Sequence, residues 1–184
     1  MRLAQLASTM ALAAICAACA VGDAVVLSPR RLAAYDVNVI PYVAGHGLLA
    51  EISGDPFAAA DGQLTAAVAE ALARHHFGPI FPVYLERPEG FRSPYRVVMV
   101  FDPAPAPGRA TLCERVPDSH PDGERIRVAA AFCARDQLLS SVNGSVGGVT
   151  GPGDARFRQL LSQVSTELFP PFDDRGANAD RFLP

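Results

Sequence analysis

The chain has 184 residues, a formal net charge of -3 and 49% apolar residues, which suffices for one globular domain with its own core. None of its sixteen basic residues is Lys, so Schiff-base chemistry, a P-loop lysine and a Ser–Lys nucleophile pair are excluded for this sequence. The slightly acidic balance shows no basic patch, which argues against nucleic acid as a partner.

The first eighteen residues have the order of a secretory signal peptide. Arg2 supplies a positive charge, an uncharged run rich in Leu and Ala follows, and the small pair Ala17-Ala18 stands directly before Cys19. Polar residues interrupt the run, which is shorter than the ~20 residues that a transmembrane helix needs. We therefore expect export, with residues 1–18 as the signal peptide.

The end of this leader, Cys16-Ala17-Ala18-Cys19, resembles the lipobox of bacterial lipoproteins. The resemblance covers only the leader. It implies that Cys19 becomes the first residue of the mature protein and carries fatty acyl chains such as palmitate. Ala20 in place of Asp implies sorting to the outer membrane, on its periplasmic face. The alternative is an ordinary signal peptide, cut after Ala18, that releases a soluble periplasmic protein.

Residues 19–31 are predicted to be the acylated N-terminus and a spacer, with residues 24–27 as a possible first edge strand. The apolar residues of 35–43 partly alternate, and those of 48–52 follow a connection that contains His46 between two glycines. This pattern predicts a β-hairpin with His46 in its turn.

The most regular helical pattern lies between residues 61 and 76. Leu64, Val68 and Leu72 recur at four-residue spacing, which predicts one apolar stripe. We expect Asp61 to cap the start, and His75 and His76 to stabilise the end through the helix dipole rather than to bind a metal ion.

Three strands and a disulfide are predicted next. Residues 80–85 contain Pro82 and are expected at a sheet edge, whereas residues 95–101 read as a central strand. A hairpin of residues 111–116 and 125–133 that turned symmetrically about Gly123 would oppose Cys113 and Cys133 at ~4.5–5.5 Å between Cα atoms. An exported protein meets an oxidising compartment, so we predict a Cys113–Cys133 disulfide.

The loop between these cysteines imitates the opening of a calcium-binding loop, but it lacks a bidentate ligand at the twelfth position, which is Ala129. We therefore predict no metal site and no cofactor. The residues considered as ligands were Asp118, His120, Asp122, Gly123 and Glu124.

The last part of the domain is predicted as a short helical turn over residues 136–142, a glycine-rich loop over 143–153 and an amphipathic helix capped by Asp154. Ser145 in that loop resembles a nucleophile elbow only loosely, because Asn143 stands where the first glycine is required. The helix should bury one apolar face, and residues 170–184 form a C-terminal tail. The residues of this face are Phe157, Leu160, Leu161, Val164 and Leu168.

Together these elements predict an α+β fold, in which a single, largely antiparallel sheet of four to six strands carries two helices packed on one face. The domain is expected to span residues 32–169. The leading functional hypothesis is an envelope lipoprotein that acts as a binding or assembly module for a protein or lipid partner, and not as an enzyme.

Two alternatives remain open. A periplasmic hydrolase would draw on polar residues scattered along the sequence, and a carrier of a small apolar ligand would need a large pocket between helices and sheet. The hydrolase candidates are Ser145, His46, His75, His76, His120, Asp102 and Asp136.

Overall fold

The computed structural model describes residues 25–57, 62–104, 112–121 and 125–171. Within these ranges, nine elements follow in chain order. They are β1 (Val26–Arg31), α1 (Val39–His46), β2 (Leu48–Ser53), α2 (Gln63–Arg74), β3 (Val83–Tyr84), β4 (Tyr95–Phe101), β5 (Arg125–Ala134), β6 (Gln137–Gly147) and α3 (Ala155–Leu168).

The strands form one sheet in the order β1-β6-β5-β4-β2-β3. The first three pairs of neighbours are antiparallel, whereas β2 runs parallel to both β4 and β3. A parallel pair needs a long crossover, and α2 supplies it between β2 and β3. The α+β class and the single sheet are confirmed. The expectation of a largely antiparallel sheet with two helices is wrong, because the sheet is mixed and there is a third helix, α1.

Helix α1 replaces the first strand of the predicted hairpin. Val39, Ile40 and Val43 are buried and share one face of the helix. Over so short a stretch, the apolar pattern of a helix cannot be told from the alternating pattern of a strand. Pro41 lies in the first turn, where its missing N–H costs no hydrogen bond. Gly47 ends the helix at φ 82°, and its N–H donates to the Val43 carbonyl at 2.7 Å.

Strand β6 replaces the predicted helical turn and the first part of the predicted glycine loop. Its eleven residues pair with both β1 and β5. Gly144 lies beneath α3, where an added Cβ would come within 2.8 Å of Leu160 and 3.2 Å of Val128. Glycine therefore lets α3 approach the sheet closely, and the loop itself is confined to residues 148–153.

The two faces of the sheet are covered differently. The helix face packs against the three helices of the described residues. Its core includes six aromatic residues that are almost fully buried, Tyr35, Phe81, Phe101, Phe132, Phe157 and Phe169. The opposite face, which we call the disulfide face, has a smaller cluster formed by Val98, Val100, Leu112, Cys113, Ala129, Ala131, Cys133 and Leu138. Alternate residues of β4, β5 and β6 point to the two faces, as the pleat requires.

Helices α2 and α3 are confirmed, including the apolar stripes predicted for both. Asp154 caps α3, and its carboxylate accepts a hydrogen bond from the Arg156 backbone N–H at 2.8 Å. This bond, which favours the charged form, is the main reason that the pKa of Asp154 is lowered. The N-cap of α2 is Gly62, and the predicted cap Asp61 lies outside the described residues.

The first strand of the sheet lies in the segment predicted as a spacer. Val26–Arg31 form an edge strand along β6, which overlaps the possible edge strand of residues 24–27 and extends to the end of the predicted spacer. At the other end, the Tyr35 hydroxyl donates to the Pro170 carbonyl at 2.9 Å, which joins the start of the domain to the residue after α3. Residues 172–184, most of the predicted tail, lie outside the described residues.

Candidate functional site

A groove of about 300 Å³ lies on the disulfide face, above β1, β6 and the first half of β5. We call it the β1–β6 groove. Its size is at the lower end of the range for small-ligand sites. The residues that line it are Val26, Leu27, Ser28, Pro103, Arg127, Val128, Ala129, Asn143, Gly144 and Ser145.

Strand register explains why polar side chains meet in this groove. Directly opposed residues of antiparallel strands share a face, and the rows here are Val26–Ser145–Arg127 and Ser28–Asn143–Ala129. The next row contains Ser141, whose Oγ is buried on the same face and has no hydrogen-bond partner among the described residues. Strand β6 thus presents Asn143 and Ser145 to the groove as its polar floor, and Ser141 continues the same row of side chains but does not line the groove.

Arg127 contributes a positive charge to the lining of the groove, and the Asp102 carboxylate contacts both its backbone and its side chain. The Asp102 carboxylate is 3% exposed and accepts a hydrogen bond from the Arg127 backbone N–H at 2.8 Å. The Arg127 guanidinium Nε lies 3.9 Å from the same carboxylate oxygen, while 47% of its side chain remains exposed. Asp102 adopts φ 44°, a conformation that brings its backbone N–H to the Arg127 carbonyl at 2.8 Å.

Ser145 is a strand residue and not the tip of a nucleophile elbow. Its Oγ accepts a hydrogen bond from the Arg125 guanidinium at 3.3 Å. None of the described residues that line the groove is a histidine. The arrangement can therefore hydrogen-bond a ligand, but the described residues do not place a general base beside Ser145.

The histidines of the hydrolase alternative are located on separate elements. His46 ends α1 and stacks on Tyr42 at 4.1 Å between ring centroids, while the backbone N–H of His120 donates to the Asp102 carbonyl at 2.7 Å. His76 stacks on Phe81 at 4.2 Å, and its pKa is lowered, chiefly because partial burial disfavours the charged ring. Asp136 pairs with Arg96 at 3.7 Å.

His75 lines a second, smaller groove of about 220 Å³ between α2 and α3. This groove has a charged rim, since Glu70 and Arg158 also line it. Neither of the two grooves lies between the helices and the sheet, where the carrier alternative requires a pocket.

The Cys113–Cys133 disulfide is present, with 5.7 Å between the Cα atoms. The hairpin from which it was predicted is wrong, because β5 pairs with β4 and β6 and not with the Cys113 segment. Residues 112–114 instead form a short turn against the disulfide face. Arg96 lies on β4, directly opposite Cys133 of β5. Its guanidinium holds this turn in place by donating a hydrogen bond to the Cys113 carbonyl.

Several residues of the sequence-based hypotheses lie outside the described residues. They are Cys16 of the lipobox-like motif, the predicted anchor Cys19, and Asp122, Gly123 and Glu124 of the calcium-like loop, for which no metal site is predicted. In the described ranges there is no cluster of three or more His, Cys, Asp or Glu side chains suited to a metal ion. The same ranges contain no helix whose length and apolar character would let it cross a bilayer.

Arg127 and Asn143, with their neighbour Ser28, were not predicted as site residues. The available signal was the alternation of polar Ser141, Asn143 and Ser145 with apolar or small residues along β6. It was read as a glycine-rich loop because Gly144 and Gly147 resemble turn residues.

Comparisons with known proteins add little to this description. No protein-family model matches the sequence, and no curated protein matches it. Two solved structures of the PelC dodecamer from Paraburkholderia phytofirmans, one of them a single-substitution variant, are similar at 12% and 13% identity, each with a TM-score of 0.46. Both alignments cover 79% of this chain and 98% of the PelC chain. A likeness of this degree carries no argument about function or assembly.

Proposed function

We propose that this protein is an exported envelope lipoprotein, anchored through Cys19 at the periplasmic face of the outer membrane, that binds a partner molecule in the β1–β6 groove. The observation that carries the binding role is the groove itself. It combines a polar floor from β6, apolar walls and one partly exposed guanidinium, which is the usual composition of a ligand site.

Two further observations support export. The leader has the order of a signal peptide and ends in a lipobox-like sequence. The Cys113–Cys133 disulfide is of a kind that persists in oxidising compartments and is rare in the cytosol. No observation favours the hydrolase alternative, since Ser145 Oγ accepts a hydrogen bond from the Arg125 guanidinium and not from a histidine.

Native mass spectrometry of the protein purified from its own cell envelope tests the binding role. We expect the wild-type protein to retain a ligand and the Asn143→Phe variant to lose it, because the new ring would fill the groove. Gln159→Phe is the matched control, since Gln159 is exposed on α3, on the other side of the sheet. Equal retention by both variants, or no retained ligand in the wild type, would contradict the proposal.

Acyl labelling tests the anchor separately. Labelled fatty acid should be incorporated into the wild-type protein and not into a Cys19→Ala variant, because the acylated sulfur is absent. Equal labelling of the two proteins would show that Cys19 is not the anchor.

A further inference from the structure

The position of the β1–β6 groove relative to the predicted anchor limits its distance from the membrane. Val26 begins β1 and lines the groove, and it is seven residues after Cys19. A chain of seven residues spans at most about 25 Å. If Cys19 is acylated, Val26 is therefore held within that distance of the lipid headgroups. Ser145 and Arg127, the other members of the first row of the groove, lie one and two strands further across the sheet.

The donors of this first row suit an anion. Arg127 and Ser145 are directly opposed on neighbouring strands, and Asn143 lies in the next row, so a guanidinium, a hydroxyl and an amide converge on one small volume. A guanidinium has five N–H donors in a planar fork, so Arg127 can contact Asp102 and still present donors to a second oxyanion. Asp102 itself is almost fully buried and is not part of the lining.

We propose, on the basis of the function proposed above, that the β1–β6 groove binds the phosphate group of an anionic phospholipid in the membrane that holds the anchor. The apolar part of the lining favours a lipid over a soluble phosphate. Val26, which is 55% exposed, lines the groove together with Pro103 and Ala129, and these apolar side chains can contact the glycerol and the first acyl carbons. The anchor raises the local concentration of such lipids at the groove.

Vesicle binding tests the proposal with the full chain, purified as the producing cell processes it and carrying Cys19→Ala in every sample to remove the acyl anchor. The probes are phosphatidylcholine vesicles with and without phosphatidylglycerol, at constant ionic strength. We expect phosphatidylglycerol to strengthen binding. Arg127→Gln should reduce that gain about tenfold, because charge-assisted hydrogen bonds to the phosphate are lost.

Two other variants separate the groove from general surface charge. Asn143→Phe retains every Arg and blocks the groove, so it should lose the phosphatidylglycerol-dependent gain. Arg158→Gln removes the same charge from the exposed surface of α3, on the helix side of the sheet, and should keep the gain. Thermal unfolding of each variant identifies any loss that is due to misfolding, which matters most for Arg127→Gln because Asp102 loses a partner.

Equal binding to the two kinds of vesicle, or equal loss in all three variants, would overturn the proposal. Competition by inorganic phosphate beyond that of chloride at the same ionic strength, without a lipid effect, would also overturn it and assign the groove to a soluble phosphate. A ligand that is retained by the wild type, lost from Asn143→Phe and not an anionic lipid would leave the proposed function standing while this inference failed.

Discussion

The two sides of β6 differ in what they contribute to the molecule. On the helix face, Val142 and Val146 are buried beneath the helices, and Gly144 brings α3 close. Ser141, Asn143 and Ser145 lie on the disulfide face, where the turn of Leu112 and Cys113 packs among the described residues. Apolar area and shape hold the first face, whereas a covalent bond helps to hold the second. The polar groove therefore lies on the face of the sheet opposite the main hydrophobic core.

Of the variants that test this comparison, Phe132→Ala, on the helix face, should have the largest effect on stability. Phe132 is fully buried, with ring centroids 4.9 Å from Phe169 and 6.4 Å from Tyr35. We expect the free energy of unfolding, measured with urea, to fall by about 3–5 kcal/mol because a large cavity is left. Phe77→Ala is the control, since Phe77 is 68% exposed, and it should change stability by about 0.5 kcal/mol or less. Similar losses in the two variants would contradict the assignment of the main core to this face.

The next test concerns the disulfide face. Replacement of both Cys113 and Cys133 by Ala should lower the free energy of unfolding by about 3 kcal/mol, because the bridge restricts the unfolded chain over twenty residues of separation. A reductant should cause a similar loss in the wild type and none in the double variant. If reduction leaves the wild-type stability unchanged, the covalent bond is not what holds this face.

The smallest expected effect is a pH dependence at the edge of the helix-face core. Burial lowers the pKa of His76, which packs between Phe81 and Phe169, so the folded state binds this proton less readily than the unfolded state does. The contribution of His76 to stability should be complete above pH ~6.5 and decline as the pH falls from there through the folded pKa.

Urea unfolding at pH 7.5 and pH 5 measures this effect. A His76→Phe variant should lose part of the pH dependence of the wild type, because the ring that must charge is absent. His46→Gln, which leaves the contacts of His76 with Phe81 and Phe169 intact, is the control and should retain it. A His76→Phe variant with the full wild-type pH dependence would contradict the role given to burial.

An element is predicted well when its apolar pattern repeats several times within the element itself. Helices α2 and α3 were predicted because 12 and 14 residues, respectively, repeat one apolar stripe over several turns. Strand β4 was predicted from its continuous apolar run. Helix α1 was not, because its eight residues fit two periods. The parallel pairing of β2 was also missed, since pairing partners are not encoded in a local pattern.

The disulfide shows that a correct pairing can follow from a wrong geometry. Three cysteines remain after the predicted leader, residues 1–18, is removed. Once Cys19 is assigned to the predicted anchor, Cys113 and Cys133 are left, so their pairing follows from sequence together with an oxidising compartment. The hairpin assumed for them does not exist, because β4 and β6 occupy both edges of β5. Only the folded sheet shows that the bridge fastens a turn across its face.

The sequence by itself determined the predicted leader, the pairing of the cysteines, the α+β class and the two long helices, because each depends on residue type or on short-range periodicity. The tertiary structure decided the mixed sheet, the strand identity of β6 and the groove. Arg127 and Ser145 are 18 positions apart and Asp102 is 25 positions from Arg127. They meet only because antiparallel register opposes β5 to β6 and the end of β4 lies beside β5, and these long-range pairings are set by the packing of the whole domain.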